Sequence, residues 1–263
     1  MTDALLAIPF GLAIGMSVGM IGAGGSVLAV PVLVYVLGQP VSQATTASLA
    51  VVTAAALAGA ATHHGEGRVC WRHAGALTVA AVPGIFAGTA AGEAVDPDVL
   101  LGAFAGVMVV AALALWHKTG EHGGTAERGR LCPPLQVARD VGGGLAIGFL
   151  TGFFGVGGGF LIVPTLAMAL GFRMRGAIGT SLAIVTATSV IGLAAHLLAG
   201  RTVDGPVTLA MAGACVAGAV GGALLAGRVP ERAAGRAFAL VVVAVAAYLA
   251  VSTALLGGAP GAA

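Results

Sequence analysis

Charge is what this chain has least of. Only 8% of its 263 residues are Asp, Glu, Lys or Arg, against about 25% in a typical soluble domain. Residues 4–65 contain none of the four. A water-soluble fold cannot hide so much uncharged surface, whereas a bilayer accepts apolar stretches of about 20 residues as spans. No carboxylate falls within the apolar runs, which argues against a transporter of metal cations, since such proteins use buried acids. The net charge is +2 with no basic run, so no nucleic-acid partner is implied. Cysteine is scarce: Cys70, Cys132 and Cys215 are scattered and form no CxxC pair, which indicates neither a disulfide framework nor a zinc site. No HExxH, GxGxxG or GK[ST] motif occurs, so no catalytic residue, cofactor or metal is expected. His64, Glu66, His73, His117 and His122 read as loop residues. No positive residue precedes the first apolar run, which is therefore read as part of the mature protein and not as a cleaved signal.

What the chain has instead is a repeat. Gly15–Arg68 and Gly148–Arg201, 133 residues apart, agree without a gap at 23 of 54 positions. The shared positions include Gly22/Gly155, Gly24/Gly157, Gly25/Gly158, Pro31/Pro164, Ser48/Ser181, Thr53/Thr186, His63/His196 and Arg68/Arg201. Two apolar halves with corresponding glycine interruptions point to a transporter whose site lies between the halves.

Eight apolar blocks stand out, at 4–37, 43–62, 74–92, 99–116, 141–172, 177–199, 207–226 and 235–256. Blocks one and five are 34 and 32 residues long. That is too long for one crossing, because 34 residues of helix would reach about 51 Å across a core of about 30 Å. It is too short for two full spans. Each long block therefore reads as a re-entrant or double helical hairpin broken at its glycines, each of which costs about 1 kcal/mol inside a helix. The basic residues agree. If blocks one and five each cross once, the 12 Lys and Arg split 7 to 5 between the two sides. If each returns to its starting side, they split 11 to 1, with Arg201 the exception. Cytoplasmic loops carry the excess of Lys and Arg, so the returning form is preferred. The expected fold is an all-α integral membrane protein of two inverted repeats, each a Gly-broken hairpin plus three transmembrane helices. Residues 1–117 form the first repeat, 118–140 a cytoplasmic linker and 141–263 the second, with both termini extracytoplasmic. Trp71, Trp116 and Tyr248 near span ends read as interface anchors.

A helix broken within lipid leaves amides that protein, water or a ligand must satisfy. The restarting helices, with Ser26 as a candidate N-cap, would aim free N–H groups at an anion. Gly24, Gly25, Ser26, Gly157, Gly158 and Gly159 are thus candidate anion ligands, with both breaks expected to address one anion at the midplane. Ser48, Thr180 and Ser181 could add hydroxyl donors without a trapping charge. For Thr53 and Thr186 the favoured alternative is a bond to their own helix carbonyl at i−4. The spaced pairs Gly15/Gly19, Gly88/Gly92, Gly102/Gly106, Gly148/Gly152 and Gly218/Gly222 read as helix contacts. His63 and His196 end equivalent helices. They are candidate proton carriers, although capping at the membrane interface is the favoured reading. Arg68 and Arg201 are candidate anion collectors at the two mouths.

The doubled pattern of Gly22–Pro31, Gly38, Ala44 and Ala47-Ser48-Leu49-Ala50, and of Gly155–Pro164, Gly171, Ala177 and Thr180-Ser181-Leu182-Ala183, resembles the TauE/SafE family of bacterial permeases. The first copy departs from the second with Ser26 for Gly159 and Ala47 for Thr180. The resemblance implies transport of a small sulfur-containing anion (sulfite, sulfoacetate, sulfonate or thiosulfate) across the inner membrane by alternating access. An anion channel and an intramembrane enzyme are the alternatives. Anion and lipid are the expected partners, and assembly as a homo-oligomer is left open.

Overall fold

The computed structural model describes residues 2–65, 67–96, 130–155 and 170–226, with short stretches within 99–107 and 162–166. Outside the described residues lie the block expected at 235–256, most of that at 99–116, linker positions 118–129, Gly157, Gly158, Gly159, Pro164, Trp116 and Tyr248. The regular elements among the described residues are helices, apart from an isolated bridge between Arg130 and Phe172. The long helices among them are α1 (Thr2–Ile21), α2 (Val41–Gly65), α3 (Trp71–Glu93), α4 (Val137–Phe154), α5 (Met174–Leu198) and α6 (Gly205–Leu225). The last five are each long and apolar enough to cross a membrane.

Helix α1 stops at Ile21, and Gly22 reverses the chain with φ 85° and ψ −157°. Only glycine adopts that conformation readily. The returning arm starts at once, as a tight 3₁₀ turn over Ala23–Leu28. Ser26 is therefore not an N-cap: it is buried inside that turn, and its carbonyl accepts the Ala29 N–H. The arm continues through Ala29–Pro31 and widens to a π-type turn at Val32–Val36. It closes through Leu37 N–H to Val32 O at 3.1 Å and Gln39 N–H to Leu33 O at 3.0 Å. The second half repeats both bonds, Leu170 N–H to Thr165 O at 3.2 Å and Phe172 N–H to Leu166 O at 3.0 Å. Among the described residues, six have positive φ and all are glycines, falling into three pairs 133 apart: Gly22/Gly155, Gly38/Gly171 and Gly67/Gly200. The internal repeat is thus a repeat of backbone conformation as well as of residue type.

In lipid, helices gain little from hydrophobic burial against each other and associate through close packing. Glycine supplies it here. Gly11, Gly15 and Gly19 of α1 lie in turn on Met211, Cys215 and Ala219 of α6, and Gly218 and Gly222 answer from α6 against Leu12 and Met16. The matching numbers rise together, so α1 and α6 run parallel. Helices α3 and α4 pair in the same way: Gly84 and Gly88 meet Leu145 and Phe149, while Gly144, Gly148 and Gly152 meet Ala80, Ala81 and Ile85. Four of the five spaced glycine pairs thus form helix contacts. Gly102 and Gly106 have no such neighbour among the described residues.

Helices α2 and α5, the repeat equivalents, form the central pair. Gly59 packs on Leu182, Gly192 on Leu49, and Thr46 bonds His196. Rising numbers on α2 meet falling numbers on α5, so the two run antiparallel. The outer faces are apolar, with Leu5, Val79, Leu209 and Leu224 at least 66% exposed, as lipid contact requires.

Three readings need correction. Helix α4 begins at Val137, so the segment expected as linker ends in a helical turn, and Asp140 is buried there. Cys70 and Cys132 are not scattered in space: they are joined as a disulfide across 62 residues of sequence. A tertiary contact of that span leaves no local spacing signal. His73 is likewise no loop residue, being fully buried in the first turn of α3.

Candidate functional site

The antiparallel pair α2–α5 is the ruler for the site. At one end, Gly22 stands against α5, where a Cβ on it would lie 3.0 Å from Ser181 Oγ and 3.2 Å from Ile178 Cγ2. At the other end, Gly155, with φ 65°, stands against α2, where a Cβ would lie 2.6 Å from Thr45 Cβ. The Ser48 hydroxyl is directed at the Gly155 carbonyl, with Thr45 O also within 3.0 Å. Each chain reversal thus meets the serine of the opposite half. Both serines are fully buried.

The two reversals do not lie at one level of the α2–α5 pair. Ser48 marks the level of Gly155, and Gly59, which touches Leu182 beside Ser181, marks the level of Gly22. Those α2 positions are eleven residues apart, about 17 Å at 1.5 Å per residue. The reason is the length of α1. Its 20 residues reach about 30 Å, which carries the Gly22 turn to the far end of the α2–α5 pair, beside His63 and Ser181. The candidate residues therefore separate into two clusters. One holds Gly24, Gly25, Ser26, His63, Arg68, Thr180 and Ser181; the other holds Ser48, His196 and Arg201. Gly157, Gly158 and Gly159 follow Gly155 outside the described residues.

Several hydroxyls are already engaged. Thr53 and Thr186 bond their own helix at Leu49 O and Leu182 O, 2.7 and 2.8 Å, as favoured from sequence. Ser181 Oγ donates to Ile178 O at 2.7 Å. Thr180 Oγ1 accepts the Cys70 N–H at 2.9 Å, and the Arg68 carbonyl lies against Gly179. This ties the loop after α2 to the first turn of α5.

The histidines are not interfacial caps. His63 and His196 are buried, at 2% and 0% exposure. His63 Nε2 reaches Gly19 O at 3.4 Å and His196 Nε2 reaches Gly152 O at 2.9 Å. In each half the ring therefore grips the broken helix three residues before its reversal. His196 Nδ1 also meets Thr46 Oγ1 at 3.2 Å, so its two nitrogens bridge α4 and α2. Sequence had shown the conserved pairing of these histidines within the chain, but not the carbonyls they would find.

Arg201 lies beside the Gly155 reversal. Its guanidinium donates to Thr45 Oγ1 at 3.4 Å, and a Cβ on Gly92 would lie 3.7 Å from it. Partial burial lowers its pKa from the ordinary arginine value, and the Glu93 carboxylate opposes that shift. Arginine keeps its charge at neutral pH regardless, so a fixed cation stands at that end of the α2–α5 pair. Sequence reasoning singled out the later glycines of each cluster. The reversals themselves are at Gly22 and Gly155, and the available signal was that these are the first glycines both copies share after Gly19 and Gly152.

The family described as Sulfite exporter TauE/SafE matches residues 7–249. A probable membrane transporter protein of Xylella fastidiosa (strain 9a5c) is 32% identical over 253 residues, covering 93% of this chain and 94% of its own. A probable membrane transporter protein of Methanocaldococcus jannaschii is 28% identical over 207 residues, covering 75% of each chain. No solved structure matches. With a family match over nearly its whole length, set on a helical fold of apolar spans, the chain belongs to the TauE/SafE family of membrane transporters.

Proposed function

We propose that the protein is an inner-membrane permease that moves a small sulfur-containing anion (sulfite, sulfoacetate, sulfonate or thiosulfate) by alternating access, coupled to protons. The supporting observation is the exchange between halves, in which each glycine reversal sits on the other half's serine, Gly22 on Ser181 and Gly155 on Ser48. Two equivalent half-sites about 17 Å apart, one toward each face, suit a carrier that binds from either side in turn. In this reading the halves are inverted repeats, a relation favoured by the antiparallel course of α2 and α5. Gly24, Gly25, Ser26, Thr180 and Ser181 then contribute to the inner half-site. Ser48, Gly157, Gly158 and Gly159 contribute to the outer one. Arg68 and Arg201 draw the anion in, and His63 and His196 carry the proton. Backbone amides and hydroxyls bind an oxyanion without a countercharge that would hold it too tightly.

Flux into proteoliposomes tests this. Saturable uptake of sulfite or thiosulfate, accelerated by an imposed pH gradient, is the expected result. Conductance that does not saturate would make it a channel, and no flux of either anion would remove the substrate class. The orientation has its own test. A cysteine at position 68 is expected to react with an impermeant maleimide only from the cytoplasmic side, and one at position 201 only from outside. Labelling of both from one side would overturn the inverted arrangement.

A further inference from the structure

We infer that Cys70, Cys132 and His73, backed by Asp140, form a thiolate site for a zinc-class divalent ion at the linker end of the bundle. Cys70 precedes α3 and His73 lies in its first turn, so the Cys-x-x-His spacing turns both side chains to one face of the helix. Cys132 comes from the segment that leads into α4. The Cys70 and Cys132 sulfurs and a His73 ring nitrogen all lie within 4.8 Å of one another. Cys70 Sγ and His73 Nδ1 are 3.5 Å apart. Zinc holds sulfur at about 2.3 Å and imidazole nitrogen at about 2.0 Å in tetrahedral geometry, which puts neighbouring ligands at about that separation.

The far side of the ring supplies an independent observation. His73 and Asp140 are 0% and 2% exposed, and among the described residues His73 Nε2 and Asp140 Oδ1 are both buried without a hydrogen-bond partner. They face each other at 3.9 Å. A metal on Nδ1 fixes the ring proton on Nε2, directed at the carboxylate, which is the arrangement that orients histidine ligands in zinc proteins. Asp140 is itself held, because its Oδ2 accepts the Gln136 N–H at 2.9 Å. A buried carboxylate at the end of a membrane helix is costly, and this role accounts for it. Phe172 closes one side, its ring 4.9 Å from that of His73, while Cys132 is exposed and leaves an entry path.

In the structure the two sulfurs are bonded to each other. Two equivalents of a small thiol, oxidised to their own disulfide, convert that bond into two thiols. Binding of M²⁺ then releases the two thiol protons and leaves a neutral bis-thiolate–imidazole centre with one open position. The metal replaces the disulfide as the tie between the linker and α3, whichever anion the protein moves.

The test uses the full chain in detergent, reduced with a phosphine, desalted and titrated with cobalt(II). One equivalent is expected to give a thiolate-to-cobalt charge-transfer band, which one equivalent of zinc(II) removes. Cys132→Ser, at an exposed position, is expected to abolish the band, and Cys215→Ser to leave it unchanged. Asp140→Asn should keep the band but weaken affinity roughly 10–100-fold. Reduced protein that shows two thiols but no band, or a band that survives Cys132→Ser, would overturn the site.

Discussion

Gly148→Leu is expected to leave almost no folded protein. A Cβ at Gly148 would lie 2.8 Å from both the carbonyl carbon and Cα of Ala81, and nearer still to its carbonyl oxygen. These obstacles are backbone, so no rotamer change relieves them, and α4 must move off α3. Overpacking costs about 1–3 kcal/mol where side chains can shift, and an obstacle made of main chain puts this substitution at the top of that range or beyond. The loss spreads, because Gly144 and Gly152 use the same contact one turn to either side. The measurement is the yield of monodisperse protein after detergent extraction, with at least a tenfold fall expected. Gly213→Leu is the control, since none of the described residues lies within 4 Å of a Cβ there, and its yield should stay unchanged. Full yield for Gly148→Leu would mean that α3 and α4 do not touch along this line.

Gly22→Ala is expected to spare the fold and remove transport. The backbone at Gly22 has φ 85° and ψ −157°, where an alanine is strained by about 1–3 kcal/mol. The added methyl would also press on Ser181 Oγ and Ile178. Ser181 Oγ is bonded to Ile178 O in its own helix, so the simplest relief is a shift of the reversal away from α5. That shift opens the half-site and re-aims the amides of Ala23–Leu28. Flux in proteoliposomes should fall at least tenfold while the thermal midpoint drops by only a few degrees. Gly75→Ala, where no described residue lies within 4 Å of a Cβ, should transport normally. Undiminished flux in Gly22→Ala would take the reversal out of the transport path.

Much of this was legible in the sequence because it is local or periodic. The absence of charge over residues 4–65 marks lipid as the solvent, since no soluble packing could cover it. Gly22 and Gly155 mark the reversals because both take positive φ, which residues with a Cβ adopt only at a cost. Spaced glycines mark helix contacts because a backbone approaching another backbone leaves no room for Cβ. Thr53 and Thr186 bond their own helices for a reason equally local, the reach of a threonine hydroxyl to the preceding turn.

The partners across elements were not legible. Nothing in Ser48 or Gly155 says that they meet, and the offset between them in the chain resembles no motif. His63 and His196 look like residues at helix ends. Only the packing of α2 on α1, and of α5 on α4, turns them inward onto Gly19 O and Gly152 O. Cys70, Cys132 and Asp140 gather around His73 because α3 and α4 run parallel and start at one end of the bundle.

By itself, then, the sequence determined the solvent, the helices, their breaks and the twofold repetition, all consequences of short-range sterics and of hydropathy along the chain. The tertiary structure alone decided that the reversals pass each other instead of meeting, and which serine, carbonyl or thiol each one finds. Those outcomes depend on the length of α1 and on the antiparallel register of α2 and α5. Register is set by close packing between segments distant in sequence, and no single stretch of chain records it.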